Sequence, residues 1–224
     1  SRVLYLIASD GSGSQIVDAG RGFAVGPGAW RPDGRHIAFL AISEEGRVAF
    51  IADADGTNVR RLPIEAPEPD GGLAWSPDGS QLSFTSRYDG DDVVHLNVAD
   101  IDAHGVITGS RQLLLDGGIA AEIQIETGIP AWSPDGRHIA ILLRQGRSPR
   151  IGIFESDGSG GRVVGPTVTG SLSDPVWSPD GRLLVIAEHS LEDGSVVKTW
   201  SVDRSTGESI ELPTPVDSWL RLAP

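Results

Sequence analysis

Four aspartates, Asp33, Asp78, Asp135 and Asp180, recur at matching places in the chain, each inside a Pro-Asp-Gly tripeptide. Carboxylates in such number are the usual material for acid and base chemistry or for a divalent cation. Their setting argues for a different role. Pro presets φ at about −65°, Asp bonds back to its own backbone and Gly supplies the positive φ that reverses the chain, so each aspartate is expected to cap a turn. Four copies of one catalytic acid would also be redundant.

The remaining chemistry-bearing residues are scattered. Of the five histidines, His36, His95, His104, His138 and His189, the first and fourth follow the repeated turn at equivalent positions, which makes them strand-edge residues. There is no His-Glu-x-x-His and no histidine pair at zinc spacing within one element. Gly-x-Ser-x-Gly is also missing; "GSGS" at 11–14 and "GSGG" at 158–161 read as turns, with no helix behind them to offer amides to a phosphate. No catalytic residue and no cofactor is expected. Calcium has two candidates, "ADADG" at 52–56 and "RYDGDD" at 87–92, although neither completes the spaced loop of an EF-hand.

The elements that position these residues follow from an internal repeat. "AWSPDG" occurs at 74–79 and again at 131–136, with "AWRPDG" at 29–34 and "VWSPDG" at 176–181. Trp30, Trp75, Trp132 and Trp177 are 45, 57 and 45 residues apart, and Trp219 follows 42 later. Each unit has a short apolar strand ending in Trp, the turn, and an alternating strand such as "RHIAFLA" from Arg35, whose period of two predicts half-buried β structure. A third strand follows, such as "RVAFIAD" or "RIGIFES", and a short fourth, such as "RRL" or "GRVV". Four antiparallel strands per period describe the blade of an all-β propeller. The recurring Trp is expected to pack between blades, and Trp200, standing where Phe50 and Phe154 stand, in the core.

"RVLYLIASDGSGSQIV" at 2–17 aligns without a gap with "RVAFIADADGTNVRRL" at 47–62, so the N-terminus supplies third and fourth strands only. The inner strand they lack is expected from "VDSWLRL" at 216–222, both termini sharing one blade. Five blades are expected over a single domain, 1–224; six, or an incomplete ring, is the alternative. The strand-like start at "SRVLYLIASD" suggests a chain excised from a longer protein.

The pattern Trp-Ser-Pro-Asp-Gly-x-x-Ile-Ala-Phe, followed by a strand and an "SDG" or "DADG" turn, resembles the repeat of TolB-like β-propellers, from Arg2 to Leu220. The resemblance implies an extracytoplasmic protein, periplasmic or at the cell surface, that binds a protein or peptide at one mouth of a propeller. It extends equally to propellers that gate peptidases and to some polysaccharide lyases. A lyase or hydrolase acting on polysaccharide, or a metal-binding propeller enzyme, is therefore the alternative to a non-catalytic binding module. The separate N-terminal α/β domain of TolB has no counterpart in this sequence.

Composition narrows the partners. With 31 acidic against 18 basic residues the formal charge is −13, the wrong sign for neutralising phosphates or anionic lipid headgroups. Nucleic acid is not expected as a partner, nor is membrane insertion. There are no cysteines, which excludes disulfides and thiolate metal sites. Binding is expected where the repeat breaks down, in the connections at 20–28, 63–72, 116–130 and 165–175, because variable loops on a rigid scaffold usually carry recognition. The expected binding residues are Glu68, Asp70, Glu122, Gln124, Glu126 and Asp174, an acidic mouth suited to a basic segment. The "AEIQIET" of the longest connection alternates and is expected to form an extra strand or lip.

Overall fold

The structure is a computed structural model that describes residues 4–7, 10–20, 24–43, 46–64, 68–87, 94–114, 123–126 and 128–213. The described residues form strands and turns with no helix, and the chain makes two compact units, residues 1–112 and 113–224.

The first unit opens with a two-stranded hairpin, β1 (Leu4–Ile7) and β2 (Ser14–Val17). Two four-stranded sheets follow, each with its strands adjacent in chain order. Blade 1 contains β3 (Ala24–Trp30), β4 (His36–Ser43), β5 (Gly46–Asp53) and β6 (Arg60–Arg61). Blade 2 contains β7 (Glu68–Trp75), β8 (Gln81–Arg87), β9 (Val94–Ile101) and β10 (Ile107–Leu113). In the second unit the first strand of each sheet is split. Blade 3 contains β11 (Ile123–Ile125), β12 (Ala131–Trp132), β13 (His138–Gln145), β14 (Ser148–Glu155) and β15 (Gly161–Val164). Blade 4 contains β16 (Ser171–Leu172), β17 (Val176–Trp177), β18 (Leu183–His189), β19 (Val196–Asp203) and β20 (Ser209–Glu211).

The connections are shorter than the sequence suggests, because their last residues join the first strand. Its ladder slips between Val25 and Gly28 in blade 1 and between Pro69 and Leu73 in blade 2. In blades 3 and 4 it breaks at Pro130 and Pro175. Proline has no N–H to give a ladder, so the strand bulges or is cut there.

The second strands also depart from expectation. His36 to Ala41 are all buried, so β4 is covered on both faces rather than half-buried. The alternate residues of that strand serve different cores. Ile37, Phe39 and Ala41 pack with Leu6 and Val17 of the N-terminal hairpin. Ala38 and Leu40 pack with Leu73, Trp75, Leu82 and Phe84 of blade 2. Blades 3 and 4 share an equivalent core of Leu142, Ile151, Ile153, Leu184, Ile186 and Val202. Sheets stacked face to face bury both sides of their central strands, and continuous apolar runs result.

The turn after the first strand is the same device in blades 2 to 4; blade 1 has Arg31 in place of the serine, and its Asp33 Oδ1 accepts from the Arg35 N–H at 2.9 Å. Asp78 Oδ1 accepts from Ser76 Oγ at 2.6 Å and from the Ser80 N–H at 3.0 Å, while Ser76 Oγ accepts from the Gln81 N–H at 2.9 Å. Asp135 with Ser133, and Asp180 with Ser178, repeat the set. The closing glycines Gly34, Gly79, Gly136 and Gly181 have φ between 67° and 71°, which a side chain rarely tolerates. These aspartates are turn caps.

Between neighbouring blades the tryptophan is a hydrogen-bond donor as well as a filler. Trp75 Nε1 donates to Ala29 O at 3.0 Å, and Trp177 Nε1 donates to Ala131 O at 2.9 Å. Trp30 breaks the expected pattern, since 48% of it is exposed. It lines an open cleft of about 330 Å³ with Leu6, Ile7, Gln15 and Ala54. Trp200 is half-buried against the second unit's core and donates to Glu188 Oε2 at 3.2 Å. The N-terminal residues do form the hairpin that the alignment with 47–62 requires. The proposed closing strand at 216–222, with Trp219, lies outside the described residues.

Candidate functional site

Within each unit the chain leaves a fourth strand and enters the next first strand at the end of the blades opposite the Pro-Asp-Gly turns. In the second unit that end is well defined. The "AEIQIET" segment supplies β11, which pairs Ile123 with Gln145, Gln124 with Arg144 and Ile125 with Leu143. The lip expected from alternation is thus an edge strand of blade 3.

Two of the expected binding residues come together there. Gln124 Oε1 accepts from Arg144 Nη2 at 3.0 Å, and Glu126 Oε1 lies 3.9 Å from Arg144 Nε. The backbone N–H of Glu126 donates to Leu142 O at 3.0 Å, which fixes where its side chain begins. Asp174 is held in the lead-in of blade 4. Burial raises its carboxyl above the usual aspartate range, while a hydrogen bond from the Ile129 N–H pulls the other way. A Cβ added to Gly128 would lie 2.7 Å from Asp174 Oδ1, so a side chain at 128 would push the two lead-ins apart. Asp174 therefore clamps the entry of blade 4 onto the entry of blade 3.

The other expected residues are less fully placed. Glu68 and Asp70 lie on the backbone of β7, with Glu68 opposite Arg87 in register, and Glu122 lies outside the described residues. Of the calcium candidates, most of the 87–92 turn also lies outside them. In the 52–56 turn, Asp53 Oδ2 accepts from Asn58 Nδ2 at 2.7 Å, and Asp55 Oδ1 accepts from the Thr57 hydroxyl at 2.6 Å. Both carboxylates are engaged in shaping the turn. Among the described residues no three His, Asp or Glu side chains group as a metal set.

Arginine is what the acidic reading overlooked at this end. The hairpin joining β13 to β14 carries Arg144, Arg147 and Arg150. Arg147 is exposed at the tip, and Arg150 Nη1 donates to Thr167 Oγ1 at 2.8 Å in the connection to blade 4. The signal was present in the sequence. The corresponding segments of the other blades are acidic, with Glu44 and Glu45, with Asp89, Asp91 and Asp92, and with Glu192 and Asp193.

At the turn end the histidines are structural. His36 faces Asp53 across β4 and β5, with Nε2 3.6 Å from Oδ1, and His138 faces Glu155 across β13 and β14, with Nε2 3.3 Å from Oε2. Arg204 of blade 4 reaches back to blade 3, with Nη1 3.3 Å from Asp135 Oδ2 and 3.1 Å from His138 Nδ1.

No family model matches the chain. A Tol-Pal system protein TolB from Albidiferax ferrireducens is 36% identical over 78 residues, which is 35% of this chain and 16% of that protein. The crystal structure of TolB from Acinetobacter baumannii superposes with a TM-score of 0.62 at 22% identity, covering 95% of this chain and 49% of that one. An oligogalacturonate lyase in complex with manganese superposes with a TM-score of 0.70 at 15% identity, covering 97% and 61%. The chain thus spans about half, or less, of the length of these two TolB proteins. Four copies of the Trp-x-Pro-Asp-Gly turn, four-stranded blades joined through tryptophan, and these likenesses give the chain the fold of the TolB-like β-propellers.

Proposed function

We propose that residues 1–224 form a single, non-catalytic propeller module of an extracytoplasmic envelope protein, which binds a protein or peptide segment at the connection end of its blades. The observation that carries this reading is the contrast between the two ends. The turn end repeats one hydrogen-bonded device from blade to blade, whereas the connection end differs in every blade in length, strand content and charge. A rigid frame with one variable end is how loop-borne recognition is built. The local identity to a Tol-Pal system protein supports an envelope setting and a protein partner. No helix among the described residues is long and apolar enough to cross a membrane.

The test is crosslinking in an envelope fraction with the wild-type chain and with two variants, Glu68→Ala/Asp70→Ala and Glu122→Ala/Gln124→Ala/Glu126→Ala. Loss of a specific crosslink in either variant, at unchanged melting temperature, is the expected result. Identical crosslinks in all three chains would remove the connection end as the binding surface. Turnover of oligogalacturonate by the wild type would replace the reading with the lyase alternative.

A further inference from the structure

The hairpin tip of blade 3 is a place at the connection end where the charge of the chain reverses. Three arginines fall within residues 144–150, and no acidic residue lies between Thr127 and Asp135 or between Arg137 and Phe154. The rest of the chain is strongly acidic. Arginine repulsion in so short a turn is unfavourable unless something offsets it, and the side chains are arranged to leave donors available.

Arg144 leaves one face of the hairpin, where Gln124 and Glu126 flank it, and 52% of its side chain is exposed. Arg150 leaves the other face, opposite Leu143 in register, with Nη1 on Thr167 and its buried Nε without a hydrogen-bond partner. Arg147 stands exposed between them. A guanidinium has five N–H donors in a planar fork, and one or two engaged donors orient the fork without filling it. Beside Arg144 runs β11, which pairs only with β13 among the described residues. Its other edge keeps a row of backbone donors and acceptors suited to an added strand.

We propose that this tip and edge bind an extended acidic segment of a protein partner, whose backbone adds to β11 and whose carboxylates meet Arg144 and Arg147. The inference rests on the binding role assigned to the connection end and names its chemistry at blade 3. Among the described side chains of this tip and edge, three arginines stand against one carboxylate, Glu126, whose Oε1 lies 3.9 Å from Arg144 Nε. The open strand edge favours a peptide, since a saccharide has no amide ladder to match it.

The test uses the full chain and three probes at low salt: a peptide alternating Asp and Val, the same peptide with Lys for Asp, and oligogalacturonate. Calorimetry should show the wild type binding the acidic peptide in preference to the lysine peptide. Arg144→Glu/Arg147→Glu/Arg150→Glu should weaken that binding at least about tenfold and reverse the preference. Arg147→Glu alone should weaken it about threefold at unchanged melting temperature, which separates binding from folding because Arg147 lies exposed at the tip. Wild type that ignores the acidic peptide, variants that bind it equally well, or tighter binding of oligogalacturonate lost in the same variants would each overturn the proposal. If the envelope crosslink of the preceding test survives in the arginine variants yet fails in the Glu122, Gln124 and Glu126 variant, the binding role stands and this chemistry falls.

Discussion

Trp75 Nε1 and Ala29 O, 46 residues apart, are 3.0 Å from each other, and the same separation and the same bond join Trp177 to Ala131. Each indole thus reaches from its own first strand to the carbonyl that precedes the tryptophan of the blade before. A hydrophobic side chain that must also place one N–H fixes the rotation of one sheet on the next, which area burial alone does not do. Arg60 to His104 O and Arg162 to Ser205 O add a second link at the outer edge of the same blade pairs.

Replacing the indole by a phenyl ring removes the donor together with part of the ring, and its cost depends on position. Trp75→Phe leaves Ala29 O without its donor inside a packed joint and should destabilise by about 2 kcal/mol. Trp30→Phe, at a half-exposed side chain, should cost well under about 1 kcal/mol. Urea unfolding midpoints of the two variants check the difference.

Asp135 ties the turn of blade 3 to blade 4. Partial burial works against its ionised form, but the Ser133 hydroxyl, the Arg137 N–H and Arg204 outweigh it and hold the carboxyl down at about 2, against an ordinary 3.8. A carboxyl lowered on folding stabilises fully above its unfolded value and loses that stabilisation as pH falls toward its folded value. The unfolding midpoint of Asp135→Asn should lie below wild type at pH about 5, and the gap should close between pH about 4 and 2.

Asp174 has the opposite sign. Burial raises it, so the folded chain holds its proton more tightly than the unfolded chain does, and its ionisation opposes folding as pH rises above 3.8. Asp174→Asn keeps an oxygen for the Ile129 N–H and removes the charge. Its stability relative to wild type should therefore improve as pH rises from the acid side toward neutrality. A pH series of thermal melts shows the trend, and a gap that is constant with pH would exclude this account.

Gly170 is a close-approach position. A Cβ there would lie 2.3 Å from the carbonyl oxygen of His189. Since β16 is only Ser171 and Leu172, Gly170→Ala should unzip it from β18 and destabilise by about 1–3 kcal/mol. Amide exchange at Ser171 and Leu172 should quicken more than in β19.

How much of this was legible beforehand depends on range along the chain. The four-strand blade was readable because Trp, Pro, Asp and Gly each act on the next few residues: the proline sets φ, the aspartate caps within two positions, the glycine reverses the strand. The even alternation of "HIAFLA" could not say that both faces are buried, since that depends on the hairpin and the blade that cover them. The connections at 63–72 and 165–175 read as loops because Pro, Gly and Asp are rich there, yet ladder pairing with the next strand recruits part of each.

At the candidate site the sequence by itself determined which residues escape the repeat, since a departure from a fixed pattern is visible without coordinates. Tertiary structure alone decided what those residues do to one another. Register places Arg144 beside Gln124 and near Glu126, from a stretch of chain about twenty residues away, and seats Asp174 against the backbone of Gly128 and Ile129. Charge is an additive property that composition reports as −13; the sign felt at a surface depends on which side chains the fold brings within a few ångströms.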